Sequence, residues 1–553
     1  MTWAMTELIE QRQTPLTADD AQHYRRDGSW SGRTLRSLLT DAAQRHPERP
    51  AIVGHVTGGV RRSMTYREMD ASASSAADSL ASIGVAPGDA VALMLPNWVE
   101  YPVLMFACHE LRAVYVGIPV SYGAMQVLPI LRRSKAKVVV IPRGWRSSDH
   151  LSLIRSLRAE LPHLETVIVV DDSDDGLGDE LFWSALDGAP AHGVGPADPG
   201  EICYLGFTSG TTGEPKGAMH THETLLHSIE RLTSHIGADT FGDHMVQLVA
   251  SPVGHHTGYV WCTLFTVFLA GTGVQVDRWE PQWGADLIRA EGITTFFGAP
   301  TFLQDMMRTD LTSKAGNPLR CIVIAGSSVP RNLPQRAAEA LGAYVAPAWG
   351  MTECSITIAC TPSEPDDILQ TDGSVFAGSA ARVVDAEDGD VATGAVGELL
   401  VKGPSLFLGY YERPDATAAS FTADGWFRTG DTAVLDERGW VSLRGRSKDI
   451  VIRGGENIPV TDVETLLFDH PAILNVAIVG TPDERLGERA CAVVVFHDGQ
   501  ADDLAGLSRY LLDRGLSKHY LPERLIVQES LPMTQSGKIQ KFRLRELIAA
   551  GEI

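Results

Sequence analysis

The residues best suited to chemistry in this chain are concentrated in the segment 203–222, CYLGFTSGTTGEPKGAMHTH. An apolar β-type run ending at Phe207 leads into Thr208-Ser209-Gly210-Thr211-Thr212-Gly213, followed by Glu214-Pro215-Lys216-Gly217. Glycines at 210, 213 and 217 let backbone N–H groups turn toward an anion. The hydroxyls of Thr208, Ser209, Thr211 and Thr212 can donate to phosphate oxygens, and Lys216 supplies a mobile cation. A Walker A loop would place Ser or Thr after the lysine at a helix start; here Pro215 precedes Lys216 and Gly217 follows it. The segment predicts phosphate binding by a different geometry.

Regular elements must position that loop. From about Leu35 onward, apolar runs at 91–95, 113–120, 137–142 and 166–170 read as buried strands. The patterns Tyr66–Leu80 and Gln126–Arg133 read as helices between them. This alternation predicts an α/β fold with stacked, mixed or largely parallel sheets and flanking helices. Residues 294–300 and 319–330 each read as a strand ending in a Gly/Pro loop, where open α/β sheets usually hold ligands. Short strands and turns dominate 378–445, predicting a β-rich subdomain. After GRSKD (445–449) the pattern restarts as a small α+β unit. Its expected elements are a helix at 461–469, strands near 474–480 and 490–496, a helix carrying Leu504, Leu507 and Leu511 on one face, a strand at 524–528 and a helix at 541–550. The expected division is 1–446 and 447–553, with a hinge at 446–449.

Composition narrows the function classes. Among 553 residues, 47 Lys+Arg against 69 Asp+Glu give a net charge of −22, which argues against a nucleic-acid partner because phosphate neutralisation needs clustered cations. Seven cysteines (108, 203, 262, 321, 354, 360 and 491) are scattered without a CxxC pair. They are expected to be small buried hydrophobes in a reducing, cytoplasmic setting rather than disulfides or zinc ligands. MTWAMTELIEQRQ at the start lacks the apolar stretch of a secretory signal. The uncharged run Tyr259–Val276 is expected to form a buried core helix followed by a turn, not a membrane span.

Six blocks in fixed order closely resemble the signatures of the adenylate-forming superfamily, which includes acyl- and aryl-CoA synthetases, adenylation domains and beetle luciferases. They are the loop at 203–222, SPVGHHTG (251–258), APAWGMTECS (346–355), GELLVKGPSLFLGYY (397–411), GWFRTGD (425–431) with GRSKDIVIRGGENI (445–458), and PMTQSGKIQKFRLRE (532–546). The resemblance implies a two-step ligation using ATP, Mg²⁺ and CoA: a carboxylate attacks the α-phosphorus, pyrophosphate leaves, and a thiol then displaces AMP. Lys538 resembles the lysine that bridges carboxylate and α-phosphate. Thr352 matches an α-phosphate contact and Glu353 the Mg²⁺ ligand. Trp349 would wall the adenine, and Ala325, Gly326, Ser327, Gly350 and Met351 are further expected cofactor-binding residues. Asp431 and Arg446 resemble ribose contacts. Lys448 falls at the hinge about which the small domain would rotate between half-reactions, and Gly454, Gly455 and Glu456 would line the pantetheine tunnel.

His255 matches the position between acyl pocket and thiol channel. The acyl pocket is expected around His256, Thr257, Tyr259, Val260, Thr301 and Phe302, with Gly326, Ser327, Gly350 and Met351 near it. No cation there would hold a second carboxylate, so an uncharged medium-chain, alicyclic or aromatic acid is expected. YRRDGSWSGRTL (24–35) is similar to aryl-acid adenylating enzymes of siderophore pathways, which carry Asn where His256 stands. PVGHHTGY is similar to medium-chain and cyclohexanecarboxylate-type acyl-CoA ligases. CoA is the expected acceptor, with a carrier-protein phosphopantetheine as the alternative. Since these substrates are anions, Lys216, Arg446 and Lys538 must act locally against the global charge.

Overall fold

The computed structural model describes residues 5, 14–59, 61–170, 181–182, 193–208, 215–313, 316–446, 451–453, 456–483, 485–534 and 537–553. The predicted alternation of strand and helix is realised as two large stacked sheets and one small one. Strands Ala90–Leu93, Val114–Gly117, Val138–Pro142 and Thr166–Val170 pair in parallel within a seven-stranded sheet. Ile202–Thr208 joins that sheet beside 114–117 and turns back antiparallel into Lys216–Thr221. A thirteen-stranded sheet carries parallel strands through Val246–Val249, Thr295–Gly298, Cys321–Ile324 and Tyr344–Met351. The same sheet continues antiparallel through the β-rich stretch 355–446.

Burial explains this choice of elements. Val138–Pro142 and Cys321–Ile324 are buried along their whole length, as befits strands covered on both faces. A single apolar cluster joins the two large sheets, with Leu93, Tyr115 and Val140 from one and Val249, Phe297 and Val323 from the other. The helix Tyr66–Ser82 begins with a capping box, Thr65 and Glu68 satisfying each other's backbone N–H groups, and buries Met69, Ala73, Ala76 and Leu80 on one face. All seven cysteines are buried and free.

The apolar run 259–276 departs from the expectation of a helix and a turn. A π-helical stretch, Thr257–Leu264, and a short α-helix, Phe265–Phe268, give way to the strand Thr272–Val276, buried beside 50–55 and 246–249. Among the described residues, no helix is long and apolar enough to cross a membrane.

The small C-terminal sheet is built from Ile473–Asp483 and Gly487–Phe496, flanked by Val451–Arg453, Glu456–Ile458 and Arg524–Val527. Helices Val460–Phe468, Leu504–Asp513 and Lys541–Ala550 cover it, close to the predicted spans. It meets the large domain through Arg444 Nη1–Asp462 Oδ1 at 2.9 Å and through Thr301, whose hydroxyl donates to the Gly537 carbonyl at 3.2 Å.

Candidate active site

The hairpin 202–208/216–221 carries Thr208 and Lys216 as directly paired residues at the end joined by the connecting loop. Ser209, Gly210, Thr211, Thr212 and Gly213 lie outside the described residues. Lys216 Nζ sits 4.8 Å from the centroid of the Tyr410 ring, and the Tyr410 hydroxyl donates to Glu353 Oε1 at 2.8 Å. The loop cation and the buried carboxylate are thereby joined through one aromatic ring. Glu353 follows Thr352 in the tight turn between Tyr344–Met351 and Ser355–Ala359, where the Cys354 N–H bonds the Met351 carbonyl. That turn needs Gly350: a Cβ there would lie 2.1 Å from the Ser355 carbonyl.

Burial pushes the Glu353 carboxyl above its ordinary pKa, and the Tyr410 hydroxyl and the Arg446 and Lys216 charges oppose that rise. Its Oε2 is buried and has no partner among the described residues. A carboxylate oxygen without a partner among the described residues fits Mg²⁺, which takes one or two carboxylates plus substrate phosphates. The described residues also bring His109, Cys203 and His222 together in the core. The Leu35 N–H, however, donates to His222 Nδ1, which leaves Nε2 as the protonated nitrogen and makes that trio unsuited to a metal.

Thr352 is fixed by its backbone. His220 Nε2 donates to the Thr352 carbonyl at 2.7 Å, and burial holds His220 at about 4, neutral at physiological pH. On the opposite wall, Asp431 accepts from Trp349 Nε1 at 2.8 Å and from Arg446 Nε at 3.0 Å. Asp431 and Arg446 are paired residues on neighbouring antiparallel strands, so the sheet register itself sets this contact. Both carboxylate oxygens already hold a donor and retain lone pairs for further hydroxyls. Ala325, Gly326 and Ser327 follow the strand Cys321–Ile324 at its C-terminal end; Gly326 takes φ +89°, with open space around it.

His255 is placed by a clamp. Asn97 donates to the Val249 and Ser251 carbonyls and accepts from the Val253 N–H, fixing the loop that leads into His255. Burial, and then the Lys538 charge, hold His255 at about 4. Lys538 itself sits in a turn in which the Thr534 N–H bonds the Lys538 carbonyl at 2.8 Å and Thr534 Oγ1 accepts from the Lys538 N–H at 3.1 Å. The small domain's Lys538 thereby acts electrostatically on the large domain's His255.

The acyl-pocket candidates divide. His256 is buried, bonds Ser355 Oγ through Nε2 at 3.0 Å and stacks on Tyr204, while Thr257 is half-buried at the start of the π-helix. Tyr259 is in the core instead, its hydroxyl bonded to His109 Nε2 at 2.9 Å, and Val260 is fully buried beside it. Thr301 and Phe302 also have other work. The Thr301 hydroxyl is committed to the Gly537 carbonyl, and Phe302 packs against Trp279 and Phe296 beneath the same turn. These two therefore also form the seat of the Gly537 turn. Lys448, Gly454 and Gly455 lie outside the described residues, and the Glu456 backbone pairs with Arg453. Sequence reasoning missed Tyr410, His220 and Asn97; only the LGYY end of the 397–411 block hinted at the first.

Residues 39–411 match the AMP-binding enzyme family and residues 462–538 its C-terminal domain. The chain is 31% identical to a medium-chain fatty-acid–CoA ligase of Escherichia coli over 95% of this chain and 92% of that protein. It is 32% identical to a salicyl-AMP ligase/salicyl-S-ArCP synthetase of Mycobacterium tuberculosis over 98% and 95%. Among solved structures, ATP-bound MatB from Rhodopseudomonas palustris superposes with a TM-score of 0.81 at 28% identity, covering 93% of this chain and 98% of that one. The chain is an enzyme of the AMP-binding family, within the adenylate-forming superfamily.

Proposed function

We propose that this enzyme activates an uncharged carboxylic acid, medium-chain, alicyclic or aromatic, as its acyl-adenylate and transfers the acyl group to CoA. In the first half-reaction a carboxylate oxygen bonds the α-phosphorus of ATP and the bond to pyrophosphate breaks. Two anions must approach, so cations and hydrogen-bond donors have to surround the reacting centre. Lys538 holds the carboxylate against the α-phosphate, and Thr352 contacts that phosphate. Lys216 and Thr208, with the loop between them, hold the leaving phosphates. Asp431 and Arg446 fix the ribose, and Trp349 packs the adenine. Glu353 would hold Mg²⁺, which supplies charge neutralisation to the phosphates when bound. His255 stays neutral and orients the carboxylate by hydrogen bonding.

In the second half-reaction the CoA sulfur bonds the acyl carbon and AMP leaves. We place the domain boundary after Arg446, the last residue of the strand Trp440–Arg446, with Lys448 as the pivot. Rotation there withdraws Lys538 and opens the thiol route past Gly454, Gly455 and Glu456. The observation that carries this reading is the lid turn seated on Thr301, close enough for the Lys538 charge to act on His255. Likeness to CoA ligases supports CoA as acceptor, and likeness to a salicyl-AMP ligase supports an aromatic acid.

The test is acid-dependent ATP–pyrophosphate exchange across benzoate, salicylate, cyclohexanecarboxylate, octanoate, palmitate and malonate, followed by thioester formation with CoA or a phosphopantetheinylated carrier protein. Exchange with the uncharged ring or medium-chain acids and thioester with CoA are expected. Preference for malonate, or loading of the carrier protein alone, would contradict the proposed acid class or acceptor respectively.

A further inference from the structure

Gly206 stands inside the strand Ile202–Thr208, two residues before Thr208. Its neighbours Ile202, Tyr204, Phe207 and Thr208 all favour strands. A glycine within such a run weakens it and marks a place where another group approaches the backbone closely. Here that group is the turn carrying Thr352 and Glu353. A Cβ on Gly206 would lie 2.4 Å from Thr352 Cγ2 and 3.0 Å from both Cε1 and the hydroxyl of Tyr204.

Neither neighbour can retreat as a body. The buried Tyr204 ring is stacked on Tyr115, His220 and His256 and lies 4.5 Å from the Tyr259 ring, centroid to centroid. The Thr352 main chain is held by His220 Nε2 on its own carbonyl at 2.7 Å and by the Phe407 N–H on the following carbonyl, that of Glu353, at 2.8 Å. The remaining freedom is rotation of the Thr352 side chain about Cα–Cβ. Methyl and hydroxyl share that Cβ in staggered wells about 120° apart, so a methyl driven off Gly206 carries the hydroxyl to a new direction.

The partner strand supports the same turn. Gly206 is directly paired with Ala218, whose backbone bridges Tyr410. Ala218 is fully buried, and Tyr410 is the residue whose hydroxyl holds Glu353 Oε1. Two paired small residues, on the hairpin that carries the phosphate loop, thus back two consecutive residues of the turn. Gly206 supports Thr352 by leaving room, and Ala218 supports Glu353 through Tyr410.

We propose that Gly206 is a positioning residue for adenylation: the space it leaves seats the Thr352 methyl and so fixes the direction of the Thr352 hydroxyl toward the α-phosphate. The proposal rests on the reading of Thr352 as the α-phosphate contact and deepens it.

ATP–pyrophosphate exchange is to be measured on the full chain and on Gly206→Ala, Thr352→Ser, Thr352→Ala and the double variant Gly206→Ala/Thr352→Ser. Gly206→Ala is expected to lower kcat for exchange about 10²-fold, the cost of misplacing a group at the reacting centre. KM for ATP should change by no more than a few-fold, because Lys216, Asp431 and Arg446 are untouched. Thr352→Ser keeps the oxygen and deletes the crowded methyl, so the double variant should return to within a few-fold of Thr352→Ser alone. General weakening of the strand would not be repaired in this way. Gly206→Ala with unaltered exchange, or a double variant no better than Gly206→Ala, would overturn the assignment. Should Gly206→Ala fail to fold, the double variant decides: a folded, active protein supports the assignment and an unfolded one overturns it. Should Thr352→Ser fall to the level of Thr352→Ala, thermal unfolding reads the same cycle. Gly206→Ala must then lower the midpoint less in the Thr352→Ser background, and an equal loss in both backgrounds overturns the assignment. Full exchange in Thr352→Ala would instead overturn the α-phosphate role of Thr352 itself.

Discussion

The two walls of the candidate site are built differently. The large-domain wall is wired in advance: Tyr410 holds Glu353, Trp349 and Arg446 hold Asp431, and His220 holds the Thr352 backbone. The small-domain wall rests on the backbone and hydroxyl bonds between Thr534 and Lys538 and on the Thr301–Gly537 bond to the large domain. Groups that grip ATP throughout the cycle belong on rigid sheet positions, and the group needed in only one half-reaction belongs on an element that can leave. In the proposed two-step reaction, this difference would let one pocket serve both half-reactions.

The comparison can be broken most severely at Lys538. Lys538→Ala should lower ATP–pyrophosphate exchange by roughly 10²–10³-fold, the usual cost of removing a donor aimed at developing charge. On the fixed wall the effect should be smaller and pH-dependent. Tyr410→Phe removes a hydroxyl that holds the Glu353 carboxyl down against its burial, so the carboxyl rises further. Protonated Glu353 does not bind Mg²⁺. The variant should therefore need about tenfold more Mg²⁺, with the deficit growing as pH falls. A Mg²⁺ titration of exchange at two pH values checks both the size and the sign. Smallest is the seat of the lid: Thr301→Val removes one neutral hydrogen bond and should slow exchange by a few-fold, with KM for ATP unchanged. If Thr301→Val matched Lys538→Ala in size, the lid would be held by that bond alone.

Much of this arrangement was legible in the sequence. Strands at 138–142 and 166–170, and the C-terminal elements, fall where uniform apolar runs and helical periodicity placed them. The run 259–276 resisted, because an uncharged stretch gives no period to separate helix from strand. The β-branched Thr272, Val274 and Val276 after Gly271 were the available signal. Individual candidate residues were named through motif order. Their partners were not: Asp431 and Trp349 stand 82 residues apart in sequence, and nothing local reveals that one bonds the other. The contact of Thr301 and Phe302 with the small domain was hidden for the same reason. Their neighbour is Gly537, which the fold alone brings to them.

The central claim is that Lys538 serves the first half-reaction and not the second. Its most direct test supplies preformed acyl-adenylate and CoA to the Lys538→Ala enzyme and follows thioester formation in a single turnover. The account predicts a rate within a few-fold of the unaltered enzyme alongside the lost exchange activity. A loss of thioester formation as large as the loss of exchange would contradict it.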